Sequence, residues 1–213
     1  MRAAQRLRDD VVAERAAFAA WQGAADGSRV VCVDESGVLA GMRAAYGYAP
    51  RGERCVEHAP YRKGRRTSLI GWVRAAQRVE PGEPGGHEKC GKVVGVEGSV
   101  DGALFTAFVR DHLAPYLRSG DVVVWDNHAI HKGEEVRCLI EAQGASLHPQ
   151  PRYSPEVNGA EPLWSKVKGT VRRARADTPE ALDAALRSAV SSVTASDVAG
   201  WMRHCGYRIT SPA

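Results

Sequence analysis

Short apolar runs and helix-like repeats alternate along this chain. Two runs, RVVCVD at 29–34 and DVVVWD at 121–126, each place four consecutive apolar residues directly before an aspartate. A run of β-branched and aromatic residues this short, without helical spacing, predicts a strand buried on both faces. A carboxylate fits such a strand only at its end, where it can reach a cleft. The two runs therefore predict two strands that each end in an acid.

The rest of the pattern predicts a mixed order of elements. Strands are expected near 29–34, 41–48, 67–78, 93–98, 121–126 and 145–148, and helices near 2–22, 101–118, 132–143, 160–175 and 178–192. The Gly/Pro-rich stretch 80–92 is expected to be a turn or loop between two hairpin strands. Because strands dominate early and alternate with helices later, the fold class is predicted to be α/β. We expect a mixed sheet, with an antiparallel meander first and parallel strands after it, covered by helices.

Length and composition indicate one globular domain with a sizeable core, since the chain has 213 residues and 44% are hydrophobic. The expected organisation is an N-terminal helix or linker at 1–24, a main domain at 25–195 and a C-terminal tail at 196–213. The five cysteines are odd in number and scattered, which argues against a disulfide framework. No stretch approaches the roughly 18 to 20 apolar residues of a membrane span, and the N-terminus does not resemble a signal peptide. A cytoplasmic location is expected.

The acids that end the two runs are Asp34 and Asp126. If the strands lie side by side, the carboxylates come together, and shared protons or metal ions must relieve their repulsion. Two-metal phosphoryl chemistry uses a further acid. Glu161 is the candidate, because Asn158 can cap a helix that has Pro162 in its first turn. The sequence therefore suggests a metal site built from three carboxylates.

Basic residues are concentrated in two segments, although the net charge is only +4 and the pI about 8.9. The residues considered as DNA contacts are Arg62, Lys63, Arg65, Arg66, Lys168, Arg172 and Arg175. At 100° per residue, the last three lie on one helical stripe with Glu161, as expected for a helix that grips a phosphate backbone ending at a metal site. The alternative is an ordinary solvated surface with an acid favoured at the helix N-terminus.

Three sequence blocks resemble the signature blocks of the DDE transposases of the mariner-like superfamily, in particular its bacterial insertion-sequence branch. They are DES at 34–36, WDNHAIHK at 125–132 and RYSPEVNGAEPLWSKVK at 152–168. The resemblance covers roughly residues 25 to 175. Thirty-four residues lie between Asp126 and Glu161, the spacing that the family shows when its third acid is glutamate.

The resemblance implies a ribonuclease H-like fold with a mixed five-stranded sheet, and a catalytic triad of Asp34, Asp126 and Glu161. The triad would hold two Mg²⁺ or Mn²⁺ ions for cleavage of transposon-end phosphodiesters and strand transfer to target DNA. Expected partners are the terminal inverted repeats, the target DNA and a second copy of the chain in a homodimer.

Two further residues of the second block could support the site. His131 could contact the scissile phosphate, orient a metal ligand or cap the following helix, and Asn127 could support the active-site loop or serve a turn. Glu35 is adjacent to Asp34, but neighbouring side chains of a strand point to opposite faces. Glu35 is therefore left out of the predicted triad.

The chain departs from the family pattern in two places. Gly159 and Ala160 replace the usual proline and aliphatic residue after the asparagine, which is expected to loosen the turn that presents Glu161. Family members normally carry helix-turn-helix segments before the catalytic domain, whereas about 25 residues precede the first strand here. We expect the DNA-reading segment to come from a separate upstream polypeptide, or the chain to be a trimmed or decayed copy.

Other readings stay open from the sequence. Two Cys/His pairs, Cys55 with His58 and His87 with Cys90, could in principle hold a tetrahedral zinc ion. A non-catalytic DNA-binding remnant that competes with or represses an intact transposase is the alternative function. A structure-directed nuclease on the same fold is a weaker option, because the YSPEVNGAE block is specific to the transposase family.

Overall fold

One mixed sheet forms the centre of the protein. The computed structural model describes residues 4–59, 64, 66–75, 90–131 and 133–209. The strands are β1 (Val30–Leu39), β2 (Arg66–Arg74), β3 (Gly91–Glu97), β4 (Val122–Val124) and β5 (Ser146–Leu147), in the order β3-β2-β1-β4-β5. The first three pair antiparallel, and β4 and β5 add in parallel beside β1. The predicted meander with parallel additions is confirmed.

Helices cover both faces of the sheet because the central strands are apolar on both sides. The α-helices are α1 (Asp9–Ala24), α2 (Gly102–Phe108), α3 (Glu134–Glu141), α4 (Glu161–Ala174), α5 (Pro179–Ser191) and α6 (Ala195–His204). Alternate residues of β1 enter two separate cores, as the pleat of a strand requires. Cys32 packs with α1, α4, α5 and α6, whereas Val33 packs with α2 and α3.

Two element predictions were wrong, and one helix was not predicted. The segment 41–48 is not a strand, because Gly41 turns the chain with φ 83° and the side chains of Tyr46 and Tyr48 are exposed to solvent. The helix predicted at 101–118 changes to a π-helical turn at Val109–Leu113 and a short 3-10 turn beyond it. Helix α6 lies in the stretch predicted to be a tail.

Both terminal segments pack onto the core. Phe18 of α1 is buried, and Trp21 stacks on His148 with 3.9 Å between ring centroids. In α6, Met202 is fully buried, with its Sδ 3.9 Å from the Sγ of Cys32 in β1. The domain boundaries at 24 and 195 stay predictions, but neither flanking segment is separate from the sheet.

Some predictions fall outside the described residues. These are the glycine-rich part of 80–92 up to residue 89 and the residues Arg62, Lys63, Arg65 and His87. A search of the described ranges for helices long and apolar enough to span a membrane finds none.

Candidate active site

The register of two parallel strands brings the first two predicted acids together. Val30 pairs with Val122 and Cys32 with Val124, a constant offset of 92 positions. The same offset relates Asp34 to Asp126, which follows the end of β4. Both side chains line one open cavity of about 420 Å³, together with serines, a histidine and Arg66.

Asp34 lies on the face of the sheet covered by α4. The indole Nε1 of Trp164 donates a hydrogen bond of 2.9 Å to its Oδ2. Burial raises the pKa of the Asp34 carboxyl to about 7, and the charges of Glu161 and Glu35 add to the shift. Without a cation, this position disfavours the carboxylate form.

Asp126 has a different environment. Its side chain is 51% exposed, and its Oδ1 accepts hydrogen bonds from the backbone N–H of His128 at 2.9 Å and from Nδ1 of His131 at 2.9 Å. The bond from His131 is the main reason that the pKa of Asp126 lies below its ordinary value. Both of these bonds reach Oδ1 and do not involve Oδ2.

His131 connects Asp126 to Glu35. The imidazole is 1% exposed, and its Nε2 lies 2.8 Å from Oε1 of Glu35. Burial alone would lower the pKa of His131, but the hydrogen bonds to Asp126 and Glu35 raise it to about 10. His131 does not cap the next helix, since α3 begins after Gly133 with no side-chain cap bond.

The turn that presents Glu161 is held tightly. Asn158 is not the N-cap of α4, because Ala160 occupies that position. Instead, the Asn158 side chain donates to the carbonyl of Val33 at 3.1 Å and accepts from the Ala160 N–H at 3.0 Å. A Cβ at Gly159 would lie 2.4 Å from the Sδ of Met202. The expectation of a loosened turn is corrected, since Gly159 permits close packing against α6.

Glu161 is the first residue of α4. It lines a neighbouring cavity with Asn158 and Trp201, not the cavity of Asp34 and Asp126. Burial raises the pKa of its carboxyl, and Lys168 opposes that shift. The two cavities share no lining residue, but Glu161 is close enough for its charge to raise the pKa of Asp34.

The acids suit a hard divalent cation by ligand type. Carboxylate oxygens are the donors that Mg²⁺ and Mn²⁺ prefer, and Asp34 and Asp126 already share a cavity. Among the residues that the structure describes, no three His, Cys, Asp or Glu side chains yet lie together as a metal-binding group.

The other predicted site residues lie in several places. Arg66 lines the cavity of Asp34, and Lys168 is half-buried on α4 near Glu161. Arg175 ends α4 with φ 50° and pairs with Glu57 at 2.9 Å. Arg172 is half-buried on the same helix.

Asn127 lies away from Asp34. Its Nδ2 donates to the carbonyl of Gln150 at 3.3 Å, and it lines a third cavity near α1. Of the zinc candidates, Cys55 is exposed, whereas Cys90 is buried in the core on the α4 side.

Two contacts around the acids were not predicted from the sequence. The bond from Trp164 to Asp34 was not expected, and Glu35 was left out because of its strand position. Glu35 does lie on the other face, but there it meets His131 and supports Asp126 from behind. The second histidine of DNHAIHK, adjacent to a strand-end acid, was the only signal available.

Comparisons with known proteins give the fold and the family of the chain. No curated protein matches the sequence. The Mos1 transposase paired-end complex with left transposon end has a similar fold, with TM-score 0.65 at 16% identity, over 93% of this chain and 59% of that chain. The Mos1 transposase catalytic domain with Raltegravir and Mg gives TM-score 0.59 at 14% identity, over 93% of both chains.

These likenesses confirm the ribonuclease H-like fold. This chain spans only about three fifths of the Mos1 chain in the paired-end complex, which is 59% covered. Residues 29–183, which include all three acids, match the model of a family described as DDE superfamily endonuclease. The chain belongs to the DDE superfamily endonuclease family.

Proposed function

We propose that this chain is the catalytic domain of a DNA transposase of the mariner-like superfamily, in its bacterial insertion-sequence branch. It would cleave the phosphodiesters at transposon ends and transfer the freed strands to target DNA. One observation carries the proposal: Asp34 and Asp126 share a cavity at neighbouring parallel strands, and Glu161 at the start of α4 lies close enough to raise the pKa of Asp34. The family match over 29–183 supports it.

The proposed roles follow from each residue's contacts. Asp34, Asp126 and Glu161 would hold two Mg²⁺ or Mn²⁺ ions, which supply Lewis acidity to the attacking and leaving oxygens when bound. Trp164 donates to one oxygen of Asp34, and His131 donates to one oxygen of Asp126, which would leave the other two oxygens for the cations. Such a mechanism requires no covalent intermediate between the protein and DNA.

DNA would approach across the acids. Arg66 in the cavity and Lys168 beside Glu161 would contact phosphates, and Arg172 would extend the contact along α4. Lys and Arg contacts to phosphate position DNA without reading its sequence. We therefore propose that sequence reading comes from a helix-turn-helix segment on a separate polypeptide and that the active complex is a homodimer on two terminal repeats.

The test is a metal-dependent cleavage and strand-transfer assay on DNA that carries the element's terminal inverted repeats. We expect activity with Mg²⁺ or Mn²⁺ and a loss of about a thousandfold or more in Asp34→Asn, Asp126→Asn and Glu161→Gln, because metal stabilisation of the transition state contributes several kcal/mol. Glu141→Gln, on the exposed end of α3, is the matched control and should stay active. DNA binding without cleavage by the wild type would instead support the repressor-like alternative.

A further inference from the structure

His131 lies between two carboxylates, one from each central parallel strand region. Its Nε2 is 2.8 Å from Oε1 of Glu35, and its Nδ1 is 2.9 Å from Oδ1 of Asp126 and 3.0 Å from the carbonyl oxygen of the same residue. All of these oxygens are acceptors, so both ring nitrogens donate. The ring orientation is thereby determined by Glu35 on one side and Asp126 on the other.

Packing removes the remaining freedom of the imidazole. His131 is buried, and its ring centroid lies 4.5 Å from that of Phe105 and 5.4 Å from that of Trp125. The Glu35 side chain is 21% exposed, so it lies at the border between this core and the cavity of Asp126. Because aromatic rings pack around His131, its imidazole cannot turn toward solvent. Its hydrogen bonds therefore hold the carboxylates of Glu35 and Asp126 in place.

The strand pleat explains why Glu35 reaches this position. Asp34 meets Trp164 on the α4 side of the sheet, whereas its neighbour Glu35 meets His131 on the other side. One strand thus provides a cavity acid directly and supports the second acid indirectly. In this way β1 sets the geometry on both faces of the sheet.

We propose that Glu35 is a positioning residue, which fixes His131 so that His131 holds the Asp126 carboxylate in one orientation for a divalent cation. The presence of a divalent cation rests on the proposed function, whereas the hydrogen bonds from His131 to Glu35 and Asp126 do not. Partners that orient metal-binding side chains typically change metal affinity or activity about 10- to 100-fold when removed. Glu35→Ala removes the acceptor, whereas Glu35→Gln keeps an oxygen that can accept from Nε2.

The first measurement uses the full chain without metal. The ¹⁵N resonances of the His131 ring and the ¹³C resonance of the Asp126 carboxyl are compared in the wild type, Glu35→Ala and Glu35→Gln. We expect both sets to move in Glu35→Ala and to return towards wild type in Glu35→Gln. The control Glu141→Ala, on the exposed face of α3, should move neither. An unchanged Asp126 resonance in a folded Glu35→Ala chain would overturn the proposal.

The second measurement is Mn²⁺ binding by titration calorimetry. Glu35→Ala should weaken binding about 10- to 100-fold, and Glu35→Gln should recover most of it. In a His131→Ala background the Glu35 substitution should have no added effect, because its path to Asp126 is already broken. A full effect in that background would mean that Glu35 acts on the ion directly and would overturn the proposal. A wild type that binds no Mn²⁺ would contradict the proposed function. The resonances measured without metal would then be the test of whether Glu35 positions His131 and Asp126.

Discussion

Asp34 and Asp126 occupy equivalent places in the sheet but opposite environments. Both lie at the cavity edge of neighbouring parallel strands, 92 positions apart in register. Asp34 faces buried surroundings and two other acids, and its pKa rises to about 7. Asp126 is half-exposed and receives two hydrogen bonds, and its pKa falls. The positions of the strands bring the two acids together. The side chains around each acid then favour the ionised form of Asp126 and disfavour the ionised form of Asp34.

The two acids would therefore contribute differently to the binding of a cation. The Asp126 side is already organised as a carboxylate, so a cation would find that ligand in place. The Asp34 side becomes favourable only when a cation compensates the repulsion among its acids. Such a position lowers the stability of the metal-free protein, which is a common cost of function.

Removing His131 should have the largest effect on the contrast between Asp34 and Asp126, because it removes the donor that holds Asp126. His131→Ala leaves Asp126 and Glu35 without their shared donor and opens a hole beside Phe105. We expect a loss of about 3 kcal/mol in the free energy of unfolding, as for other buried charged pairs that lose one partner. Urea denaturation at pH 7 measures it.

The matched control for this change is His128→Ala. The side chain of His128 is exposed, and only its backbone N–H bonds to Asp126. Its substitution should change the unfolding free energy by less than about 0.5 kcal/mol. Equal losses in the two variants would show that His131 does not hold the acids.

On the Asp34 side, the packing of Gly159 against Met202 holds the turn before Glu161, and a substitution at Gly159 should disrupt it. A methyl group there would lie 2.4 Å from Sδ of the fully buried Met202, so either the Met202 side chain or the turn before Glu161 must shift. We expect Gly159→Ala to destabilise the protein by about 1 to 3 kcal/mol, the usual range for overpacking. Gly200→Ala is the control, because Gly200 is exposed within α6 with open space around it. That change should stabilise the protein by about 0.5 to 1 kcal/mol.

Neutralising each acid in turn should sharpen the comparison. In the metal-free protein at pH 8, Asp34→Asn should raise the free energy of unfolding by about 1 to 2 kcal/mol, or about 2 to 8 °C in Tm, because it removes a disfavoured charge. Asp126→Asn should lower stability, because the charge bonded to His131 is lost. Urea denaturation gives both values, and changes of the same sign would contradict the contrast.

The Asp34 effect should also depend on pH. The folded pKa of about 7 lies above the ordinary value of 3.8, so the folded chain binds the proton more tightly than the unfolded chain. Wild-type stability from this group therefore falls as pH rises from about 4 to about 7. The gain in Asp34→Asn should become small near pH 4 and disappear below about pH 3, where Asp34 is protonated in both states. A gain that stays constant across this range would contradict the raised pKa.

The smallest expected effect concerns DNA binding by the cations beside Glu161. If four to six cations contact phosphates, the log–log salt slope of the association constant should be about −3.6 to −5.4. Arg172→Ala should flatten the slope by about 0.9, whereas Arg175→Ala should change it less, because Arg175 is already paired with Glu57 at 2.9 Å. Fluorescence anisotropy on a random duplex measures both. A larger change for Arg175 would mean that its ion pair opens on DNA.

The sheet and the paired acids could be predicted from sequence because their cause is local. Four buried residues followed by aspartate identify a strand end, and parallel pairing of β1 with β4 then brings the acids together. The prediction failed at 41–48, where a strand was expected but Tyr46 and Tyr48 are exposed to solvent. A strand-like segment in the sequence does not identify a partner strand.

The contacts that differentiate the acids could not be predicted in the same way. Trp164 and Asp34 are 130 residues apart, and His131 and Glu35 are 96 apart. Which side chains meet at that separation depends on how helices pack on the sheet, and a single sequence carries no signal for it. The role of Gly159 was misread for the same reason, since its close neighbour Met202 belongs to a helix that was not predicted.

The most direct test of the central claim is a crystal structure of the chain soaked with Mn²⁺, with anomalous diffraction used to locate the ions. We expect two peaks about 3.5 to 4 Å apart, within coordination distance of the carboxylates of Asp34, Asp126 and Glu161. The Oδ1 of Asp126 should stay bonded to His131. Peaks outside this group, or none at millimolar Mn²⁺, would contradict the assignment of Asp34, Asp126 and Glu161 as the metal-binding acids.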